Sequence, residues 1–528
     1  MALHVAPPDP KPLLHVPLHA QSSPAAVRSM SRVVRGTLFS VAMRWTDRLI
    51  GVVSTVVLAR LLLPQDFGII AMASLAISLV DLLLDLSVRA TLVQNPAPTQ
   101  AHFDTAWTLG LLQATLVALV LIVVAPCAAR YFHEPRVGPV VWVLALAMLV
   151  SGAENIGVVN FQKEMEFGRE YQLLFCRRFA GFAVTLASAW MLRSYWALVA
   201  GTLAGRLTGV VCSYAMHSMR PRLSLQCWRE ILGVSKWLLA RTSACFFEAQ
   251  LHRAVVGRHN SPATMGAYAM ASDISSLPST ELLMPISRVL FPAFVQVKHR
   301  PHELKRVFLL AQGVQSLFAM PASAGLAMVA PQLVPLMLGQ QWAGAVPLVR
   351  ILALAYLASA MLYSTTCLFI TLERVRVLAL FIWAQVAVFA LLAFGIFGVA
   401  QAEQVAWLRL GVGIVCDMGL VALLLHVFEP LRLRDMREGV QRPVLATLAM
   451  AAGLWLLDLH WAADPGDTTV LAGYARLATT VLVGSVLYGS TLALLWRLGG
   501  QPAGAEAYVL GHLKTMARLA WRKQQPCN

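Results

Sequence analysis

Long apolar runs, separated by short polar breaks that often contain proline or glycine, recur along this chain from about residue 37 to about residue 496. An α-helix of roughly twenty apolar residues is long enough to cross a hydrocarbon core of about 30 Å. Apolar length and punctuation predict fourteen such helices. They lie at about 37–60, 67–92, 105–128, 138–160, 171–192, 195–217, 235–256, 265–294, 307–330, 345–369, 376–399, 404–427, 443–461 and 470–496.

One stretch of this pattern is written twice. ARLLLPQDFGIIAMAS begins at Ala59 and GRHNSPATMGAYAMAS begins at Gly257, and nine of the twenty positions from Arg60 to Leu79 match those from Arg258 to Leu277. Pro64 pairs with Pro262, Gly68 with Gly266, and Ala71-Met72-Ala73-Ser74 with Ala269-Met270-Ala271-Ser272, at a constant offset of 198 residues. Six helices separate the copies, so both run the same way through a membrane. That is the signature of a parallel repeat, two six-helix lobes related by an axis along the membrane normal.

Composition agrees with a membrane protein. The 528 residues are 58% hydrophobic and 13% charged, with a mean hydropathy of +0.66, whereas soluble domains carry about a quarter charged residues. A soluble multidomain enzyme is excluded on that ground. The formal net charge of +16 would suggest a nucleic-acid partner in a soluble chain, but its distribution says otherwise. Basic residues gather before helix one (Lys11, Arg28, Arg32, Arg35) and after helices six, eight and twelve (Arg220, Arg222, Arg229, Lys236; Lys298, Arg300, Lys305, Arg306; Arg432, Arg434, Arg437, Arg442). The C-terminal stretch adds Arg497, Lys514, Arg518, Arg522 and Lys523. All of these fall on one face. The other face has Arg130, Arg136, Arg193, Arg253 and Arg258, and its loop of Asp464 and Asp467 has no base. Cytoplasmic loops hold the excess of Lys and Arg, which predicts both termini in the cytoplasm and no nucleic-acid partner. Eight cysteines stand singly, none in a CxxC or other metal-ligand spacing, so no metal or cofactor is expected.

Polar stripes run down four of the predicted helices. Helix one carries Thr37, Ser40, Arg44, Asp47, Arg48, Gly51, Ser54 and Thr55; helix two carries Ser74, Ser78, Asp81, Asp85 and Arg89. Helix seven has Arg241, Cys245, Glu248 and His252. Helix eight has Asp273, Glu281 and Arg288, with Pro278, Pro285 and Pro292 spaced by seven, which predicts a bent or broken helix beside a cavity. An ionisable group at mid-membrane costs about 2.5–3.5 kcal/mol on insertion scales, so such groups face a bundle interior or a wet cavity. Each charge can also be read as half of a structural ion pair, such as Asp85 with Arg89. Four stripes on the first two helices of each lobe favour one shared cavity.

ARLLLPQDFG, FQKEMEFGREY, GAYAMASDISSLP, PISRVLFPAF and MLGQQWAGAVPLVRILAL, in that order over roughly residues 31–430, resemble the polysaccharide transporters of the multidrug/oligosaccharidyl-lipid/polysaccharide exporter superfamily, the Wzx-like flippases. The resemblance implies an all-α polytopic bacterial inner-membrane protein that turns undecaprenyl-diphosphate-linked oligosaccharide units over for exopolysaccharide, capsule or O-antigen synthesis. It also implies a V-shaped pair of six-helix lobes with two extra C-terminal helices, and as partners the lipid-linked glycan, the bilayer, and polysaccharide polymerase and chain-length machinery. DLSVRATLVQ departs from the family pattern by placing Arg89 near the cytoplasmic end of helix two.

The chain is accordingly divided into an N-terminal cytoplasmic tail (1–30), an N-lobe (31–220), a C-lobe (221–430), two extra helices (431–497) and a basic amphipathic tail (498–528). The tail, AEAYVLGHLKTMARLAWRKQ, reads as an interfacial helix on anionic lipid. Arginine's planar fork suits a diphosphate, so Arg44, Arg48, Arg241 and Arg288 are the candidate substrate-binding residues. Asp47, Asp81, Asp85, Glu248, His252, Asp273 and Glu281 are the candidates for ion coupling or gating. Arg48 lies about 17 Å into helix one, near mid-membrane, and shares its face with Arg44. Two readings compete: a cation-coupled multidrug antiporter of the same superfamily, and a non-catalytic scaffold of a polysaccharide assembly complex. An enzyme is disfavoured by short loops and the lack of a glycine-rich phosphate loop after a strand.

Overall fold

The computed structural model describes Thr46 and residues 49–84, 88, 91–92, 97–164, 166–231, 236–396, 398, 401–463, 470–502 and 504–511. Among them every regular element is helical. The long helices are α1 (Leu49–Leu61), α2 (Pro64–Leu84), α3 (Gln100–Tyr131), α4 (Val137–Gly152), α5 (Phe167–Leu192), α6 (Trp196–Met216) and α7 (Lys236–His259). They continue with α8 (Pro262–Gln296), α9 (Pro301–Leu338), α10 (Ala345–Thr371, interrupted at Leu362), α11 (Val375–Ala390), α12 (Ala402–Val427), α13 (Leu433–Ala463) and α14 (Val470–Leu498). Each of the fourteen expected helices has its counterpart here.

Ten of these helices are long and apolar enough to cross a membrane, and α1 and α4 are shorter apolar helices. The remaining two, α7 and α8, both help line the cavity described below. The protein is a multi-pass membrane protein of two six-helix lobes, α1–α6 and α7–α12, with α13 and α14 packed on α9. The lobes meet chiefly where α2 lies along α8. A buried apolar core spans that seam, from Ile69, Met72 and Ala73 of α2 to Met265, Tyr268 and Ala271 of α8.

Several helices begin earlier than apolar length suggested. α2, α8 and α9 start at Pro64, Pro262 and Pro301, because proline's missing N–H is no loss at the first helical position. Ser261 caps α8 by accepting from the Thr264 N–H at 3.3 Å. Of the bent or broken helix expected at Pro278, Pro285 and Pro292, the break is not found, since α8 stays helical through all three. α4 ends at Gly152, short of the expected 160, because buried Asn155 turns the chain. It accepts from the Gly157 N–H at 2.9 Å and donates to the Met219 carbonyl at 2.8 Å.

The basic connections sit together at one end of the bundle. Lys298, after α8, pairs with Glu373 before α11 at 2.5 Å, and Lys305 of α9 pairs with Asp435 of α13 at 2.5 Å. His102 of α3 meets Glu230, before α7, at 2.9 Å. Cys227 brings its sulfur within 4.8 Å of the ligand atoms of that His–Glu pair, a proximity that no sequence spacing signals. The N-terminal tail, the Asp464–Asp467 loop and most of the C-terminal tail lie outside the described residues.

Candidate functional site

The doubled turn is where the two lobes touch. A Cβ on Gly68 would fall 1.8 Å from the Pro262 carbonyl oxygen, and a Cβ on Gly266 would fall 1.8 Å from that of Pro64. The contact is therefore reciprocal, as residues on a pseudo-twofold axis must be, and only glycine permits it at either position. Proline opens each helix, and glycine, one turn on, presents bare backbone to the other helix. The repeat exists to cross α2 and α8 at backbone contact.

Two flanking contacts obey the same symmetry. At the end of α1, the Ala59 carbonyl accepts from Trp342 Nε1 at 2.9 Å and the Leu62 carbonyl accepts from Gln341 Nε2 at 3.1 Å. Arg60 returns the favour, its Nε donating to the Met337 carbonyl at 3.2 Å at the end of α9. Each helix end thus has otherwise unpaired carbonyls satisfied by the opposite lobe. At the equivalent end of α7, the Arg258 guanidinium lies 4.8 Å from the Tyr131 ring centre. A Cβ on Gly257 would meet the Phe132 ring at 2.9 Å. The motifs LLLPQDFG and MLGQQW, far apart in sequence, are two halves of one latch. Trp342 is fully buried in it, edge-on to Phe67 at 5.2 Å.

Beyond the latch the lobes enclose a cavity of about 1240 Å³. Its polar wall comes from Thr55 of α1, Ser74 and Ser78 of α2, Gln250 and Arg253 of α7, and Asp273 of α8. Its opposite wall is mainly apolar, with Leu317, Phe318 and Leu326 of α9, Met450 and Leu454 of α13, and Val481 of α14, interrupted by Thr480, Ser485 and Tyr488 of α14. The first two helices of each lobe thus line one cavity, as their stripes suggested.

Among the described residues, Arg253 of α7 and Arg178 of α5 are the cations that line this cavity. Arg253, counted in the sequence with Arg258 among the bases of the sparsely charged face, lies more than a turn inside α7 and turns toward the cavity. Its Nη2 donates to Asp273 Oδ1 at 2.8 Å and to Ser272 Oγ at 2.9 Å, while its buried Nε has no hydrogen-bond partner among the described residues. Ser272 Oγ in turn meets the Tyr356 hydroxyl at 2.7 Å, and the Tyr356 ring carries the buried Arg409 guanidinium at 4.3 Å. Asp273 is two-thirds exposed, so the pair presents a cation half sheltered by protein and an anion open to the cavity.

The stripe named on helix seven faces elsewhere. His252 is buried with its Nδ1 2.9 Å from the Tyr268 hydroxyl. Glu248 and His252 line a closed space of about 20 Å³ inside the C-lobe with Ser359, Gln385 and Arg409. That is room for one water-sized occupant, beside a His252 Nε2 that has no partner among the described residues. Arg241 lies near Cys245 and Cys367 and does not line the central cavity. The rotation of α7 that brings Gln250 and Arg253 to the cavity turns these residues into the lobe. Asp81 lines a separate N-lobe recess with Trp107, Gln113 and Glu154. Glu281 reaches a chamber on the N-lobe side of the cavity. Arg44, Asp47, Arg48, Asp85 and Arg89 lie outside the described residues, as does the side chain of Arg288.

The model of a family described as polysaccharide biosynthesis protein matches residues 57–347, more than half of the chain and all of the latch. The chain belongs to that family. Over 457 residues it is 23% identical to the succinoglycan biosynthesis transport protein ExoT of Rhizobium meliloti, covering 84% of this chain and 89% of that one. It is 25% identical over 311 residues to the lipopolysaccharide biosynthesis protein WzxC of Escherichia coli, a match spanning 57% of this chain and 62% of its relative. Among solved structures it is similar to the lipid II flippase MurJ in an inward closed conformation, with a TM-score of 0.66 at 11% identity over 87% of this chain and 99% of that one. An inward-facing multidrug transporter of the MATE family superposes with a TM-score of 0.52 at 13% identity, over 73% and 95%. The chain shares its fold with these two structures.

Proposed function

We propose that the protein is a flippase, not an enzyme, that carries undecaprenyl-diphosphate-linked oligosaccharide units from the cytoplasmic to the periplasmic leaflet of a bacterial inner membrane. The observation that carries this reading is the uneven lining of the cavity, with hydroxyls, an amide and the Arg253–Asp273 pair on one wall and mainly apolar side chains of α9, α13 and α14 on the other, where Thr480, Ser485 and Tyr488 are the polar members. A lipid-linked glycan has the same division, a hydrated anionic head and a hydrocarbon tail. Arg253 offers its fork to the diphosphate, and Asp273 balances the cation when no anion is bound. The family and the relatives named for polysaccharide transport support the same class of cargo.

In this reading the latch marks the periplasmic end and the basic loops the cytoplasmic end, with both termini cytoplasmic. Release of cargo requires the Gly68–Gly266 crossing and the Gln341–Trp342 turn to part. Glu248, His252 and Arg409 form the buried group to which coupling is assigned, and polysaccharide polymerase and chain-length machinery are the proposed partners. Deletion in the native host tests the proposal. Lipid-linked repeat units should accumulate on the cytoplasmic leaflet, and restoration of the gene should clear them. Normal polymer export in the deletion strain, without another transporter, would sink it.

A further inference from the structure

At the basic end of the bundle, the connection that leads from the N-lobe to the C-lobe is laid along α3. The Arg222 N–H donates to Asp104 Oδ1 at 3.0 Å, the Ser224 N–H to Thr108 Oγ1 at 3.0 Å, and the Cys227 N–H to Thr105 Oγ1 at 3.3 Å. Asp104, Thr105 and Thr108 are buried, so the acceptors that hold the connection are fixed by the packing of the helix. The chain is thereby set so that Cys227 and Glu230 come opposite His102, in the first turn of the same helix.

Three donors of different type converge there. His102 Nε2 lies 2.9 Å from Glu230 Oε2, and the Cys227 sulfur is within 4.8 Å of the ligand atoms of both. A tetrahedral zinc ion, with bonds of about 2.0–2.3 Å to nitrogen, oxygen and sulfur, holds its ligand atoms roughly 3.4–3.6 Å apart, between those two spacings. The other imidazole nitrogen is already supported, since Nδ1 meets the Thr99 N–H at 3.2 Å and the Thr99 hydroxyl at 2.7 Å. Such an outer hydrogen bond orients a ligating imidazole and leaves its far nitrogen for the metal. The solitary spacing of the cysteines predicts no metal, because His102 and Glu230 stand 128 residues apart and meet only in the fold.

We propose that His102, Cys227 and Glu230 bind a zinc-class divalent cation, which clips the connection between the lobes to α3. Thiolate and imidazole select a borderline-soft ion over magnesium or calcium, which take oxygen ligands. Thiolate and carboxylate together balance the double positive charge. As the metal–sulfur bond forms, the Cys227 thiol proton leaves to solvent. The imidazole proton passes from Nε2, where Glu230 accepts it in the metal-free protein, to Nδ1, where the Thr99 hydroxyl oxygen accepts it. Glu230 is more than two-thirds exposed, so water reaches the fourth position. None of the three ligands lines the central cavity, and the site owes nothing to the nature of the cargo.

Metal-stripped full-length protein in nanodiscs, kept reduced, is titrated with Zn²⁺ in competition with a chromogenic chelator. Wild type is expected to take up one ion with a Kd of about 1 µM or tighter, and excess Mg²⁺ should not displace it. Cys227→Ser should weaken binding by about a hundredfold or more, beyond what loss of an outer hydrogen-bond partner costs, and Glu230→Gln by about tenfold or more. Co²⁺ in place of zinc should show a thiolate-to-metal charge-transfer absorption that Cys227→Ser lacks. Zinc should also slow backbone hydrogen exchange over residues 217–231, the connection that it clips. Equal zinc affinity in wild type and Cys227→Ser, or a cobalt spectrum that this substitution leaves unchanged, overturns the site and leaves His102–Glu230 as a structural tie. If Cys227→Ser is not monodisperse, the exposed Glu230→Gln and the competition with Mg²⁺ decide, and unchanged affinity in the first or displacement in the second overturns the site equally.

Discussion

Arg253 and its neighbours show what a single residue's position adds to its identity. In the sequence it is one of several bases close to Arg258, five residues on and beside a turn; in the fold it is a cation on the cavity wall, held by Asp273 and Ser272. Charge-assisted hydrogen bonds contribute about 1.5–3 kcal/mol, so Arg253→Gln should lower export at least roughly tenfold with normal protein abundance. Arg253→Lys should retain part of the activity, because it keeps the charge and loses only the fork. Glycan export in a deletion host reports the outcome, and unimpaired export by the Gln variant would remove Arg253 from the site. A second residue carries a pH dependence. His217, just past α6, accepts from the Met219 N–H at 3.1 Å through Nδ1. Burial pushes its imidazole below the usual 6.5, against the opposing pull of Glu164 and Glu166 and with the help of Arg169 and Arg220. A depressed histidine contributes stability that is complete above its unfolded value and fades as pH falls through its folded one. Protection of the connection after α6 against backbone hydrogen exchange, taken relative to the intrinsic rate at each pH, should therefore fall on acidification below 6.5, and His217→Asn should flatten that response. Neither role was legible in advance, because both depend on which way a helix faces and on what a loop packs against.

Helices, by contrast, were largely legible. Apolar runs near twenty residues located all fourteen, since a membrane leaves few other ways to satisfy the backbone. Less legible was where helices begin: α2, α8 and α9 start at Pro64, Pro262 and Pro301, a few residues before their apolar runs, and α8 stays helical through three prolines where a bend or a break was expected. The doubled stretch was visible as a repeat, but its purpose was not, because the partner of each glycine lies 198 residues away. Reciprocal contacts at 1.8 Å leave no room for a methyl group, so Gly68→Ala or Gly266→Ala should wedge α2 from α8. Either variant is expected to insert normally yet expose the Phe67–Trp342 seam to aqueous thiol reagents placed at neighbouring positions. Unchanged labelling in both would mean that the crossing is not the closure. Trp342→Ala should act in the same direction, since emptying a buried tryptophan site typically costs about 3–5 kcal/mol. Here the cost falls on the closed arrangement, because Trp342 bonds to α1 of the other lobe.

At the scale of the whole molecule, two lobes that meet at a symmetric latch beside a shared cavity support the proposed flippase reading, in which access alternates. The charge distribution supplies the direction: reporter fusions at Arg437 and Gly466 should report opposite sides, Arg437 cytoplasmic, and equal labelling of both would overturn the fourteen-helix topology. The latch supplies a sharper test, because a transporter that must open there cannot work if held shut. Phe67 of the N-lobe and Trp342 of the C-lobe place their rings 5.2 Å apart, within reach of a short reducible crosslinker between cysteines at those positions. The native cysteines are scattered, and Cys127 and Cys176 are exposed, so the pair belongs in a background where they are replaced. Both substitutions weaken the latch on their own, which sets the uncrosslinked double variant as the reference. Crosslinking should stop glycan export and reduction should restore it to that reference, whereas each single variant should ignore the reagent. Continued export by fully crosslinked protein would mean that cargo leaves without parting the lobes at this seam, and the reciprocal glycines would then be a permanent hinge rather than a gate.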